Sequence, residues 1–238
     1  MRPYIEYAES IGHLTPFEGY NFKKQKVEVA SSIGEIIINA QKELPFASEV
    51  YNISANINDY ILVPVIIMPS ELPNRNGVGF PFKELTYFSP EAGTLAYKTW
   101  KGKPCHIEHI NQDYTKAKGI ILESSLRKMN NVEGDLYKVV LLSAWDRTRD
   151  PLLANAILTG ERKSYSMGAM CRDYRCTICG SLHSKGGCDH VTLGKPKFQL
   201  FSNKLAYLEA LDPIGFELSS VADPAYICAE SPYLFGYD

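Results

Sequence analysis

Cys176-Thr177-Ile178-Cys179-Gly180, followed after the Gly186-Gly187 turn by Cys188-Asp189-His190, sets the hardest condition on how this chain can fold. Two pairs of soft or borderline donors suit one tetrahedral zinc ion, with Cys176, Cys179, Cys188 and His190 as ligands. Cys171 and His183 are spare candidates nearby. The competing readings are a redox C-x-x-C or unliganded thiols. A redox pair usually opens a helix in a βαβ unit, whereas this one lies between glycine-rich turns. Four protein ligands leave no open coordination position, so the expected Zn2+ is structural.

Cysteine use elsewhere agrees with that reading. Of six cysteines, four fall between 171 and 188, which is not a scattered disulfide framework. Met1-Arg2-Pro3-Tyr4-Ile5-Glu6 lacks the apolar core of a secretion signal, and a reducing cytoplasm is expected. No run approaches the roughly 18 apolar residues of a membrane span. At 238 residues and 45% hydrophobic, the chain can bury a real core as a single domain over 1–238. Net charge is −2 and the 25 basic residues form no long run, which argues against a specific nucleic-acid interface.

Strand patterns dominate. Tyr60 to Met68 is a nearly continuous apolar run, with Pro64 implying a bulge or a sheet edge. Ala117–Glu123 and Asp135–Ala144 read as two strands joined by a hairpin connection over 130–134. Phe198–Leu211 and Phe216–Val221 return to strand. Helices are fewer. Gly34 interrupts the apolar run of 26–43, where a short helix after the glycine is expected, beyond an extended arm over 1–25. Ser89-Pro90-Glu91 predicts a helix to about Trp100. Asp150-Pro151 predicts another, ending before Gly160. An N-terminal arm and helix region (1–50), a knuckle insertion (171–195) and an exposed tail (229–238) complete the plan.

Three segments carry reactive groups. Gly160 to Met170 contains Ser166-Met167-Gly168, where a glycine lets backbone approach a substrate closely. Cys105-His106-Ile107-Glu108-His109 offers two imidazoles, followed by Asn111 and Asp113. In an extended segment they point to opposite faces, and His109 is preferred as a base because it lies nearer the polar residues. Glu217, in Phe216-Glu217-Leu218-Ser219, is either a solvent-facing carboxylate or the group that orients an imidazole. Asp223 precedes Pro224 and is expected to make a turn. A hydroxyl, an imidazole and a carboxylate in separate segments are what nucleophilic acyl transfer needs.

Taken together, these segments resemble the prohead (head-maturation) serine proteases of tailed bacteriophages, whose fold is that of the herpesvirus assembly proteases. The residues that carry the resemblance are Trp100 to Pro104 leading to His109 and Asn111, Lys118 to Ile121, Gly160 to Gly168, and Glu217 to Val221 before Asp223-Pro224-Ala225. The cysteine insertion resembles a zinc-knuckle variant seen in some large phages. The resemblance implies an α+β fold, a strand-rich β-barrel flanked by helices with a small zinc-knuckle insertion. It implies His109 as base, Ser166 as nucleophile and Glu217 as third member. It further implies scaffold and major capsid proteins as substrates, self-cleavage, an oligomeric state, and a place inside the procapsid in the bacterial host cytoplasm. Two other classes fit less of the sequence: a non-catalytic procapsid core protein with a protease-like fold, and a zinc-ribbon nucleic-acid binder. The sequence does not place the oxyanion donors; Arg147 or Arg149 could lie nearby.

Overall fold

The computed structural model describes residues 33–129, 135–193 and 198–231. The expected arm over 1–25, the hairpin connection at 130–134 and residues 232–238 of the expected tail lie outside the described residues; the start of that tail is not exposed as expected, Ala229 and Ser231 being buried. The first element, helix α1 (Ile33–Tyr51), is longer than the short helix expected after Gly34 and runs through Pro45. An interior proline costs a helix about 3 kcal/mol. The buried stripe of Ile36, Ala40, Leu44 and Ala47 offsets that cost by packing onto a sheet face.

That sheet has seven strands. They are β1 (Tyr60–Pro69), β2 (Val78–Gly79), β5 (Pro104–Ile107), β6 (Gly119–Lys128), β7 (Tyr137–Asp146), β8 (Tyr165–Cys176) and β11 (Leu208–Ser220). The order is β1-β7-β6-β5-β11-β2, with β8 antiparallel along the other side of β11. Pro64 sits on β1, an outermost strand of this order, where its missing N–H is tolerated. A register shift falls at Ile66/Met68 of the same strand. β7 reads as a continuous apolar run because both its faces are covered. Val139, Leu141 and Trp145 enter the main core, while Leu142 and Ala144 enter the smaller core beneath α1.

Between β2 and β5 lie the short helix α2 (Phe82–Leu85) and a tight hairpin of β3 (Phe88–Ser89) and β4 (Thr94–Leu95). The helix expected from Ser89 to Trp100 is therefore not formed. Ser-Pro-Glu opens a turn as readily as a helix, and Gly93 at φ +66° accepts the left-handed conformation that closes it, its N–H bonding to Ser89 O at 2.9 Å. The second expected helix forms as α3 (Pro151–Leu158). Asp150 caps it by accepting from Leu153 N at 3.0 Å, and Gly160 follows at φ +76°. After β8 comes the cysteine insertion, then a small hairpin of β9 (Leu200–Phe201) and β10 (Lys204–Leu205).

The architecture is mixed α+β and strand-rich, but its ladders do not close into a barrel among the described residues. β1 and β8 pack against each other without pairing. The segment after β11 bridges them instead. Glu230 O accepts from Ile66 N at 3.4 Å, Glu230 pairs with Ser164, and Ala229 O accepts from Tyr165 N at 2.8 Å. Among the described residues, no helix is long and apolar enough to cross a membrane.

Candidate active site and metal centre

The candidate site is built on β11. Its ladder with β8 slips between Gly215 and Glu217, leaving Phe216 as an extra residue. A bulge of one residue swaps the face on which everything beyond it points. It sets Glu217 opposite Gly168 and Ser219 opposite Ser166, so these four positions share a face. Trp100 supports the bulge from beneath. Its indole N–H donates to Gly168 O at 3.2 Å, and its ring lies where a Cβ on Gly215 would be, 2.2 Å from Cδ2. Thr99 Oγ1 accepts from Gly215 N at 2.7 Å.

Gly168 has a second role besides close backbone approach. A Cβ there would sit 2.5 Å from Phe216 Cζ and 2.7 Å from Glu217 Oε1. Its absence makes the space in which the Glu217 carboxylate lies. Glu217 is fully buried, and two donors compensate its desolvation: Ser219 Oγ donates to Oε2 at 2.7 Å, and His109 Nδ1 meets Oε1 at 2.7 Å. Glu217 is thus not the solvent-facing carboxylate of the alternative reading.

His109 reaches this carboxylate because β5 ends at Ile107. Glu108 and His109 follow at φ +49° and +57°, so strand alternation no longer relates His109 to His106. Two successive left-handed non-glycine residues are unfavourable and need external ties. Glu108 supplies them: its N–H donates to Ser220 O, and its Oε1 accepts from Arg162 Nη1 and Ala222 N, both at 3.1 Å. His109 N–H donates to Ser219 Oγ at 3.1 Å, which seats the histidine over the same ladder rung as Ser166. The Nδ1–H tautomer selected by Glu217 leaves Nε2 as an acceptor. The hydrogen bond to Glu217 holds the imidazole pKa above its ordinary value, against the opposing effect of burial.

His106 shares the Ser219 rung from the other side but is 1% exposed, and both its ring nitrogens lack hydrogen-bond partners. Burial lowers its pKa, against the opposing charges of Glu217 and Asp113. Ser166 and His109 line one cavity of about 400 Å³, bounded by Val78, Phe80, Tyr174 and Tyr226. Asn74 and Asn76 also line this cavity, although the sequence gives no sign of it, and Ser219 stands in the Glu217–Val221 stretch without a role assigned to it there. Arg147 and Arg149 lie elsewhere, donating to carbonyls of Asn58 and Thr115 respectively. Asp223 pairs with Arg75 in an exposed bend.

Cys176, Cys179, Cys188 and His190 converge, their ligand atoms all within 4.8 Å of one another. β8 ends at Cys176 and turns through Gly180, at φ +73°, whose N–H donates to Cys176 O at 2.9 Å. Ile178 N–H points at Cys176 Sγ, 3.4 Å away. Ser181 pulls the Cys179 thiol down to about 6, and Cys188 and His190 add to this. His190 Nδ1 is buried without a hydrogen-bond partner. A thiol set with an orphaned imidazole nitrogen at this spacing could hold one metal ion. The spare candidates stand apart. Cys171 lines the cavity with its thiol pushed up to about 11 by burial, and His183 packs edge-on against Tyr174. The insertion also reaches the cavity, through Leu193.

No family model, no curated protein and no solved structure matches this chain.

Proposed function

We propose that this protein is a serine endopeptidase of the prohead type, cutting scaffold and capsid-associated proteins, and itself, as a phage head matures. The observation that carries this reading is the 2.7 Å contact of His109 Nδ1 with a fully buried Glu217, beside a cavity that His109 shares with Ser166. A buried carboxylate that fixes one imidazole tautomer leaves the other nitrogen free to accept a hydroxyl proton. In the proposed reaction Ser166 Oγ attacks a peptide carbonyl and its proton passes to His109 Nε2. The imidazolium is stabilised by Glu217 and then protonates the leaving amine. Water, deprotonated by the same nitrogen, releases the acyl group and restores Ser166.

Zinc is proposed as the ion of the cysteine centre, where Cys176, Cys179, Cys188 and His190 would form a closed four-ligand set. Such an ion supplies folding energy and takes no part in the chemistry. The barrel-like closure of the family is proposed in the form of the 229–231 bridge, and the site of action remains the procapsid interior.

Treatment of the purified protein with a fluorophosphonate tests the reading. A single adduct on Ser166, absent from Ser166→Ala, together with cleavage of co-expressed scaffold by the unmodified protein alone, is the expected result. A protein that takes no adduct and cuts nothing is instead the non-catalytic core protein.

A further inference from the structure

We infer that the substrate is anchored by an uncharged apolar side chain of leucine, methionine or phenylalanine size, seated in the cavity beside Ser166. The inference rests on the serine endopeptidase reading and adds the class of peptide that the site accepts.

Among the described residues, no Asp, Glu, Lys or Arg lines the cavity. Its deeper walls are Ile67, Val78 and Phe80, each at most 8% exposed, with Leu193 contributed by the cysteine insertion. Two polar groups on the walls are already engaged. The Tyr226 hydroxyl bonds the carbonyls of Leu72 and Val78, at 3.0 and 3.2 Å. Asn74 Oδ1 accepts from Asn76 N and Val78 N, at 3.0 and 3.1 Å. A charged side chain entering here would give up water and meet no opposite charge among the described lining residues. His109 is no exception, because it must be neutral to take the serine proton. A volume of about 400 Å³ is at the small end of the ligand-pocket range, roughly 300–1,000 Å³, with room for one large side chain and adjoining backbone.

The way in is along β8. Among the described residues, no backbone hydrogen bond reaches 166–174 from any strand but β11, so the outer edge of β8 is open there. Met167, Ala169 and Cys171, at every second position, line the cavity. An extended peptide pairing with that edge presents alternate side chains to the same face. One of them drops into the apolar space while the next peptide bonds approach Ser166.

The whole protein, incubated with a proteome-derived peptide library, tests this when the new termini are mapped by mass spectrometry. A parallel sample is scored for the fluorophosphonate adduct on Ser166. The expected result is the adduct together with about tenfold enrichment of Leu, Ile, Met or Phe at one fixed position from the cut bond. Ala169→Leu should shift that position toward Ala and Ser, and Leu193→Ala toward Phe and Trp. These substitutions sit on different elements, so misfolding of one leaves the other informative. An adduct accompanied by a charged preference, by no preference or by no cleavage overturns the apolar anchor and leaves Ser166 as a nucleophile. Profiles unmoved in both variants overturn it too. Absence of both adduct and cleavage removes the endopeptidase reading, and this inference with it.

Discussion

At the scale of single residues, the site depends on a space that Gly168 leaves and Glu217 fills. Glu217→Gln keeps the shape but removes the charge that favours imidazolium. Because the folded pKa of His109 is raised, its protonated form stabilises the fold below about pH 6.5, and this contribution is lost as pH rises through the folded value. On the proposed reading activity runs the opposite way, since a general base must be neutral. The acid limb of kcat/KM should therefore centre above about pH 6.5. In Glu217→Gln it should move to lower pH, with the plateau falling about 10³- to 10⁴-fold. A limb that stays in place would detach Glu217 from His109. Gly168→Ala should act on the same pair by steric means: its methyl group would lie 2.7 Å from Oε1 and push the carboxylate away. Titration of the His109 ring by NMR should then show a lowered pKa. His109 was legible as a candidate because histidines are few, 5 in all, and Ser166 and Glu217 through the motifs around them and the resemblance those motifs carry. The burial of Glu217 was not, since strand periodicity alone gives it an even chance of facing solvent. Nor was the left-handed path of Glu108-His109, which depends on Arg162 and Ser219 arriving from distant segments.

At the scale of elements, local signals were legible where the partner is also local. Asp150, Pro151 and Gly160 predict α3 and delimit it, since the cap bond spans only three residues. Ser89-Pro90-Glu91 misled for the same reason in reverse: the residues fit two local structures, and packing chose the hairpin. The bulge at Phe216 has no sequence signature, although it decides which face Glu217 occupies. The cysteine insertion was legible because ligand spacing is itself a contact restraint. Its exposed, glycine-rich turns bury little, so the ion should supply most of its folding energy. Purified protein should carry about one equivalent of zinc. Chelation should speed hydrogen exchange across the insertion and reduce cleavage in part, through Tyr174 and Leu193, rather than abolish it. Complete loss of cleavage with an unchanged exchange pattern would point to a metal engaged in the chemistry.

At the scale of the whole molecule, the segment after β11 is what links β1 to the start of β8. Tyr226 is 5% exposed and ties this segment to the β2 region through its two hydroxyl bonds. Tyr226→Ala should destabilise the protein by about 3–5 kcal/mol. Each kcal/mol corresponds to about 2–4 °C in Tm for a protein of this size, so calorimetry should show a drop of roughly 6–20 °C. A change under about 2 °C would mean the bridge is an ornament on an already stable sheet. β11, where three ladders meet, is also the last strand of that sheet in sequence; β5 has β6 beside it already, but β2 and β8 pair in the sheet through β11. Synthesis proceeds from the other end, at about 5–20 residues per second. Until residues 208–220 leave the ribosome, β8 lacks its ladder partner and His109 lacks the Glu217 carboxylate. On the proposed endopeptidase reading, the site would therefore stay incomplete, and harmless to neighbouring proteins, until this one strand arrives.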